Sequence, residues 1–314
     1  MMSNGIQLRK YKLDDISIFL SNEDVVIGAK NNTFSTISDI KHRTPETLDW
    51  ISNKCQSPID YITANPANFI ICPEFNISEL PKALRAKKTI IITRNPKLLF
   101  ARIVNALFVQ HQEHSISSSA VIEAGAKIGV NVHIGNNCYI GNAVIGDNTV
   151  IMDNCTINDT VTIGNNVLLK PGAQLGLGGF GFVRDENSNF IDFPQLGSLV
   201  IEDDVEIGPN TCIDKGSLSL TKIGRGTKIG AFVKIAHNCI IGKSCFIGAQ
   251  VFIGGSVTIG DYNWIAPGTL IKDQLKIGSY STCGLGSVVV KDIADHELWL
   301  GNPARFIRRL TEIN

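Results

Sequence analysis

Ten isoleucines stand six residues apart without a miss: Ile223, Ile229, Ile235, Ile241, Ile247, Ile253, Ile259, Ile265, Ile271 and Ile277. An apolar stripe on an α-helix repeats every 3.6 residues and drifts off a period of six, so no helix produces this pattern. The next residue is Gly at seven of the ten positions, the exceptions being Ala236, Ala266 and Lys272. A period of six is the hexapeptide signature of a parallel β-helix. Each short strand ends in a sharp corner, and Gly supplies the backbone freedom there.

The same hexad starts earlier, at Ile116, Ile122, Ile128, Ile134 and Ile140. It slips by one residue to Ile145 and continues through Ile151, Ile157, Ile163 and Leu169. A Gly- and aromatic-rich excursion, Leu175 to Gly197, interrupts it before Ile201, Ile207 and Ile213. Four extra residues near Leu218 to Leu220 then precede the long ladder. From Met1 to about Gln110 there is no hexad. There, Leu13 to Leu20 reads as a short helix, and Asn68–Cys72 and Thr89–Thr93 as buried strands. Asn95-Pro96 reads as the cap of a helix running to about Phe108. The expected architecture is mostly β: a small α/β domain over 1–110, a parallel β-helix over 111–292 and a tail over 293–314. A polar linker, Gln110 to Ser119, joins the first two and contains His111 and His114.

Composition narrows the function classes. Lysines and arginines number 29 against 29 acidic residues, so nothing pulls the chain toward nucleic acid or membrane. No apolar run reaches membrane-spanning length, and Met1 to Asp15 lacks the apolar core of a signal peptide. The eight cysteines show no C-x-x-C spacing. A cytoplasmic chain with reduced thiols is expected. Cys239 and Cys245 share a repeat slot with Thr227, Val233, Val251, Val257 and Thr269, which reads as interior packing.

Three hexads make one coil, so residues 18 apart share a corner of neighbouring coils, about 4.8 Å apart. His237, two residues past Ile235, falls at a corner, with Gly255 and Asp273 stacked above it. Lys215, next to Asp214, lies below once the four inserted residues are allowed for. A corner imidazole reads either as a solvated turn histidine or as a base accepting a proton from an attacking amine or hydroxyl. Gly255 allows close approach of a thioester, and amides there offer an oxyanion site. A solenoid zinc site needs three converging imidazoles, whereas only His133 and His237 lie in the repeats, in non-equivalent slots; no metal is expected.

Gly179-Phe-Gly-Phe182, Phe193-Pro-Gln-Leu-Gly197, Val205-Glu-Ile-Gly208, Thr211-Cys-Ile-Asp-Lys-Gly216 and Ile235-Ala-His-Asn238 follow one another in the order and spacing of one family. The chain resembles UDP-3-O-acylglucosamine N-acyltransferase, the left-handed β-helix enzyme of lipid A synthesis. The match is specific over residues 175–260 and looser before them. The resemblance implies that His237 is the general base and that the helix is left-handed. It implies homotrimers with active sites between subunits, and a uridine site on the N-terminal domain. Leu48-Asp-Trp-Ile-Ser-Asn53 aligns with that site, where Trp50 would stack uracil and Asn53 would hydrogen-bond it. A core aromatic is the other reading of Trp50. Phe180, Phe182 and Gln195 would help read the sugar, with Asp214 and Lys215 at the same edge.

The chain departs from the family at three places. Gln274 stands where a second histidine is expected, and would donate to the thioester oxygen. Gly230 stands where the family has an aspartate seven residues before the base. The end, Leu300-Gly-Asn-Pro-Ala-Arg305-Phe-Ile-Arg308-Arg309, resembles the closing motif of coenzyme A-dependent hexapeptide acetyltransferases. Gly301 and Pro303 would turn against pantetheine, and Asp273, Lys291, Arg305 and Arg308 would complete the coenzyme A contacts. A solvated basic terminus is the other reading of Arg308 and Arg309. The expected activity is transfer of acetyl from acetyl-coenzyme A to the amine of a UDP-linked amino sugar, for surface polysaccharide or lipopolysaccharide. The alternatives are the lipid A reaction with acyl carrier protein, O-acetylation by the same base, and a non-catalytic sugar-binding solenoid.

Overall fold

The computed structural model describes residues 9–38, 41–109 and 113–311. The chain divides into two compact units, Met1–His111 and Gln112–Asn314. His111 and the rest of 110–112 lie outside the described residues.

The second unit is a left-handed parallel β-helix. Two- to five-residue strands stack into three sheets of eight, ten and nine strands. The isoleucines point inward and align in register: Ile235 pairs with Ile253, Ile253 with Ile271 and Ile271 with Val289. Each partner stands three hexads further along the chain, so one coil is the three-hexad turn that the sequence predicts. Where the hexad slips, Ile128 stacks on Ile145 across a coil shortened by one position. The interior holds aliphatics and small residues, among them Cys239 and Cys245, both buried. Their thiols reach carbonyls of the next coil, Gly254 and Gly260, at 3.1 Å each.

Corners demand a residue in the left-handed region, which Asn tolerates better than other non-glycine residues. Asn131, Asn137, Asn148, Asn154, Asn166, Asn210 and Asn238 occupy corners with φ between 53 and 60°. At many corners the backbone N–H just before this residue is capped by a side chain from the adjacent coil. Examples are Asn136 N–H to Asp153 Oδ1 at 2.6 Å and Lys243 N–H to Asp261 Oδ1 at 2.9 Å.

The closing segment is built into the solenoid. Strand Glu297–Leu300 extends one sheet in parallel and then turns antiparallel into Arg305–Arg309. Ala304 is buried, and half-buried Trp299 packs on the same interior cluster, donating to Glu297 at 2.9 Å. Together they plug the open end of the coil stack.

The N-terminal unit holds a five-stranded sheet in the order Val25–Gly28, Thr89–Ile92, Phe69–Cys72, Thr47–Trp50, Thr36–Ile37. Only Val25–Gly28 runs antiparallel to its neighbour. The strands Phe69–Cys72 and Thr89–Ile92 are buried throughout, as expected of central parallel strands. Helix Pro96–Leu107 begins as the sequence predicts, with the Asn95 side chain accepting from Leu98 N–H at 3.1 Å.

Ile259 is 1% exposed in the middle of the ladder. Ile259→Ala is expected to cost about 2–4 kcal/mol, read as a lowered urea midpoint at unchanged slope.

Candidate functional site

The corner at His237 is where the regular capping stops. His237 sits just before Asn238, whose φ of 59° turns the chain. Ser256 N–H donates to the His237 carbonyl at 2.9 Å, and Gln274 N–H to the Gly255 carbonyl at 2.8 Å. His237, Gly255 and Asp273 therefore stack one above another, as the three-hexad coil requires. By the rule of the other corners, a side chain at 255 would cap His237 N–H, and Asp273 would cap Gly255 N–H. Gly255 has no side chain, and Asp273 Oδ2 instead accepts from Gln274 Nε2 at 3.0 Å. Among the described residues, Gly255 N–H has no hydrogen-bond acceptor.

The imidazole is enclosed rather than solvated. A Cβ on Gly255 would lie 2.8 Å from both Cε1 and Nε2 of His237. A Cβ on Gly179 would lie 2.7 Å from Cδ2. Two glycines thus leave the slot in which the ring lies. Nδ1 is buried without a hydrogen-bond partner among the described residues. Of the two ring nitrogens, Nε2 is the one left accessible.

Gly179 arrives on the excursion, which is a hairpin pairing Phe182–Arg184 with Phe190–Asp192. Gln195 braces its stem, accepting from Gly179 N–H at 3.3 Å and donating to the Phe193 carbonyl at 3.1 Å. The four inserted residues form a second flap strapped to the corner: Asn238 Oδ1 accepts from Ser217 N–H at 2.9 Å and from Ser219 Oγ at 3.1 Å. Between the two lies a cavity of about 370 Å³ that His237, Gln195, Ser217, Ser219 and Phe182 help to line. A second cavity of about 240 Å³ is lined by Phe180, Phe182 and Phe190 alone. Phe180 is 91% exposed. Gly179 and the serines of the flap were missed in the sequence because no fixed spacing links a loop to the corner it reaches.

Several expected site residues stand elsewhere. Asp214 is buried, not on an open edge, and its carboxylate is held by Lys234 Nζ at 2.5 Å. Burial pushes its pKa up, against the opposing hydrogen bond and charge of Lys234. Lys215 is half-buried and donates its backbone N–H to Leu177. Gln274 lies two coils above His237, with Gly255 between, and its amide is taken by Asp273; it does not meet the imidazole. Lys291 is exposed on the same corner, two residues past Val289 and three coils above His237. Gly301, at φ 98°, accepts from Val288 N–H in the top coil, and Pro303 follows a cis peptide bond. Arg305 and Arg308 are exposed on the closing strand.

In the N-terminal unit, Trp50 and Asn53 part company. Leu48 and Trp50 share one face of their strand, where Trp50 packs 6.1 Å from Phe100 of the covering helix. Asn53 donates to the Arg94 carbonyl at 2.9 Å and lines a cavity of about 570 Å³ with Gln56, Ser57, Glu74 and Asn76. Trp50 does not line that cavity. Trp50 is half-buried, packed against the edge of the interior cluster.

Among the described residues no cluster of three or more His, Cys, Asp or Glu is arranged to hold a metal ion. No described helix is long and apolar enough to cross a membrane.

Comparison with known proteins places this geometry. The family described as bacterial transferase hexapeptide (six repeats) matches residues 220–255, and the GMPPB C-terminal domain matches 110–177. A UDP-3-O-acylglucosamine N-acyltransferase of Methylorubrum populi is 38% identical over 142 residues, 45% of this chain and 40% of that protein. One from Anaeromyxobacter dehalogenans is 48% identical over 65 residues, 19% of this chain and 18% of that protein. The matched stretches thus span less than half the length of these relatives. Among solved structures, the UDP-N-acetylglucosamine acyltransferases of Bacteroides fragilis and Campylobacter jejuni are 29% and 28% identical, each with a TM-score of 0.56. Each alignment covers 62% of this chain, and 74% and 75% of the respective structures.

Two outcomes test the geometry. Gly255→Ala is expected to fold normally but to displace the ring, lowering the rate of any His237-dependent reaction by at least about tenfold. An unchanged rate would remove the glycine slot from the account. Asp214 has a raised folded pKa, so the stability it contributes is present only below its unfolded pKa and is lost as pH rises through the folded one. Asp214→Asn is therefore expected to be no less stable than wild type at pH 7, with any advantage vanishing below about pH 4, in paired thermal melts.

Proposed function

We propose that the protein is an acyltransferase that acylates the amino group of a nucleotide-linked sugar, in the manner of a UDP-3-O-acylglucosamine N-acyltransferase. The observation that carries the reading is the His237 corner. One imidazole with Nε2 available stands beside an uncapped backbone N–H, and a cavity of mixed polar and apolar lining opens at the imidazole. The sugar amine attacks the thioester carbonyl while Nε2 of His237 accepts its proton. The oxygen of the tetrahedral intermediate carries the negative charge and is held by Gly255 N–H. Collapse expels the thiolate, which takes the proton from the imidazolium. Serine and asparagine groups of the cavity suit the hydroxyls of a sugar, since a buried hydroxyl needs a partner.

The length of the acyl group separates two readings. The all-phenylalanine cavity beside the one at His237 favours a longer acyl chain over acetyl, such as a carrier protein would deliver. An apolar cavity gains far more from a hydrocarbon chain than from the single methyl of acetyl. The second reading, acetyl-coenzyme A as donor, is favoured by the closing turn Gly301–Ala304. It lies four coils above His237, about 19 Å at the usual strand spacing, with Lys291, Arg305 and Arg308 nearby to meet phosphate. On either reading the enzyme works in the cytoplasm on a UDP-amino sugar destined for lipopolysaccharide or another surface glycan. A homotrimer would bring a neighbouring subunit to each site. Asn53 and its cavity are the part of the N-terminal unit suited to the nucleotide.

His237→Ala is expected to lower kcat by about 10³-fold or more with the assembly preserved by light scattering. Supplying UDP-amino sugars with acetyl-coenzyme A and, separately, with acyl carrier thioesters of graded length decides the donor. Preference for acetyl-coenzyme A would overturn the first reading. Full activity of His237→Ala would overturn both.

A further inference from the structure

We propose that Gln195 is a positioning residue, acting through Gly179 to hold the His237 imidazole in place against Gly255. The inference rests on His237 being the proton acceptor of the reaction above, and it assigns Gln195 a role other than reading the sugar ring.

The hairpin that carries Gly179 is tied to the solenoid at its foot, where the Leu177 carbonyl accepts from Lys215 N–H at 3.0 Å, and projects beyond it. Its two strands are exposed throughout, at Phe182–Arg184 and Phe190–Asp192. Its tip is closed internally, with Asp185 accepting from Asn187 and Asn189 N–H at 2.9 and 2.8 Å. Between that foot and the stem bond from Phe193 N–H to the Gly181 carbonyl at 3.0 Å, the group that holds Gly179 itself is the side chain of Gln195. The amide is fixed at both ends: Oε1 accepts from Gly179 N–H, and Nε2 donates to the Phe193 carbonyl two residues back. The foot of that strut is anchored in the coil, because Leu196 and Gly197 N–H donate to the Ser217 carbonyl at 2.6 and 2.9 Å. A chain of short contacts therefore runs from the Ser217 flap through Gln195 to Gly179 and onto the ring. Oε1 of Gln195 and Cδ2 of His237 lie 3.1 and 2.7 Å from the same point, the place a Gly179 Cβ would occupy.

The imidazole needs this outside support. Its Nδ1 has no partner among the described residues, so no hydrogen bond there fixes its rotation about Cβ–Cγ. Shape alone sets the angle. Gly255 limits the ring on the Nε2 and Cε1 side, and Gly179 limits it on the Cδ2 side. Removing the strut frees Gly179, opens the second wall and lets the ring turn away from Gly255 N–H. A base misplaced by about 1 Å costs on the order of 10²-fold in rate.

The experiment measures two quantities on the full-length protein. The first is carbethoxylation of His237 by diethyl pyrocarbonate, followed by peptide mass spectrometry in wild type, Gln195→Ala, Gln195→Met and Gly179→Ala. His133 and His296 of the same molecules are internal references for folding. The second is kcat and KM with the UDP-amino sugar. The expected result for both Gln195 variants is several-fold faster modification of His237, with the reference histidines unchanged. Their kcat is expected to fall by about 10- to 100-fold with KM within about threefold. Gly179→Ala is expected to lower kcat similarly, by crowding the ring. Unchanged His237 reactivity in both Gln195 variants, or a loss confined to KM, would overturn the proposal and make Gln195 a direct sugar contact. Wild-type protein that turns over no UDP-amino sugar would sink the functional reading, whereas His237 reactivity still reports on the clamp by itself.

Discussion

The structure depends on a single constraint: each inward aliphatic must sit above the one in the coil below, so that the parallel hydrogen-bond ladder runs unbroken. Every departure in the sequence is subordinate to it. Ile157 stacks on Leu175 across one regular coil, and Leu175 stacks on Ile213 although the whole aromatic excursion lies between them. Ile213 in turn stacks on Ile235 across the inserted flap. Surplus residues must leave and re-enter at a corner without moving the register, because a slip of one residue would turn the aliphatics outward. Both insertions therefore become flaps, and they flank the corner that holds His237.

Regularity of the corners is what makes the exception chemically useful. Elsewhere a side chain from the adjacent coil occupies the exposed N–H, as Asp153 does for Asn136 and Asp261 for Lys243. Such a cap stabilises the turn and also blocks it. At His237 the cap is missing because Gly255 cannot supply one, and at Gly255 because Asp273 turns to Gln274. A donor that would be satisfied in an ordinary coil is left open beside a titratable ring. The N–H belongs to a rigid backbone, so it needs no reorganisation when charge develops in front of it.

Much of this was legible from spacing. The coil length, the three slots per coil, the stacking of His237 under Gly255 and Asp273, and the register shift at Lys215 follow from counting. Spacing also held the signal against Gln274, since it follows Asp273 and so stands two coils from His237, beyond the reach of a side chain that Asp273 already engages. The face of Trp50 was readable too: it shares strand parity with Leu48, which is buried under the covering helix. What counting could not supply is the path of an insertion. Gly179 lies far ahead of His237 in the chain, in no repeat register, and only the folded hairpin puts it on the ring. Asp214 was misread for a similar reason, because the inserted flap beside it turns an outward strand residue into a buried one.

Two glycines take the role usually given to a partner carboxylate. Where a histidine base is oriented by an acid, the hydrogen bond at its second nitrogen fixes the tautomer and the angle together. Here Nδ1 is sealed without a partner among the described residues. Orientation has to come from contact on both sides of the ring, and only residues lacking Cβ leave room for a ring so placed. Contact, rather than a hydrogen bond at Nδ1, fixes the angle of the ring, and contact geometry at this corner is what the ladder beneath it enforces.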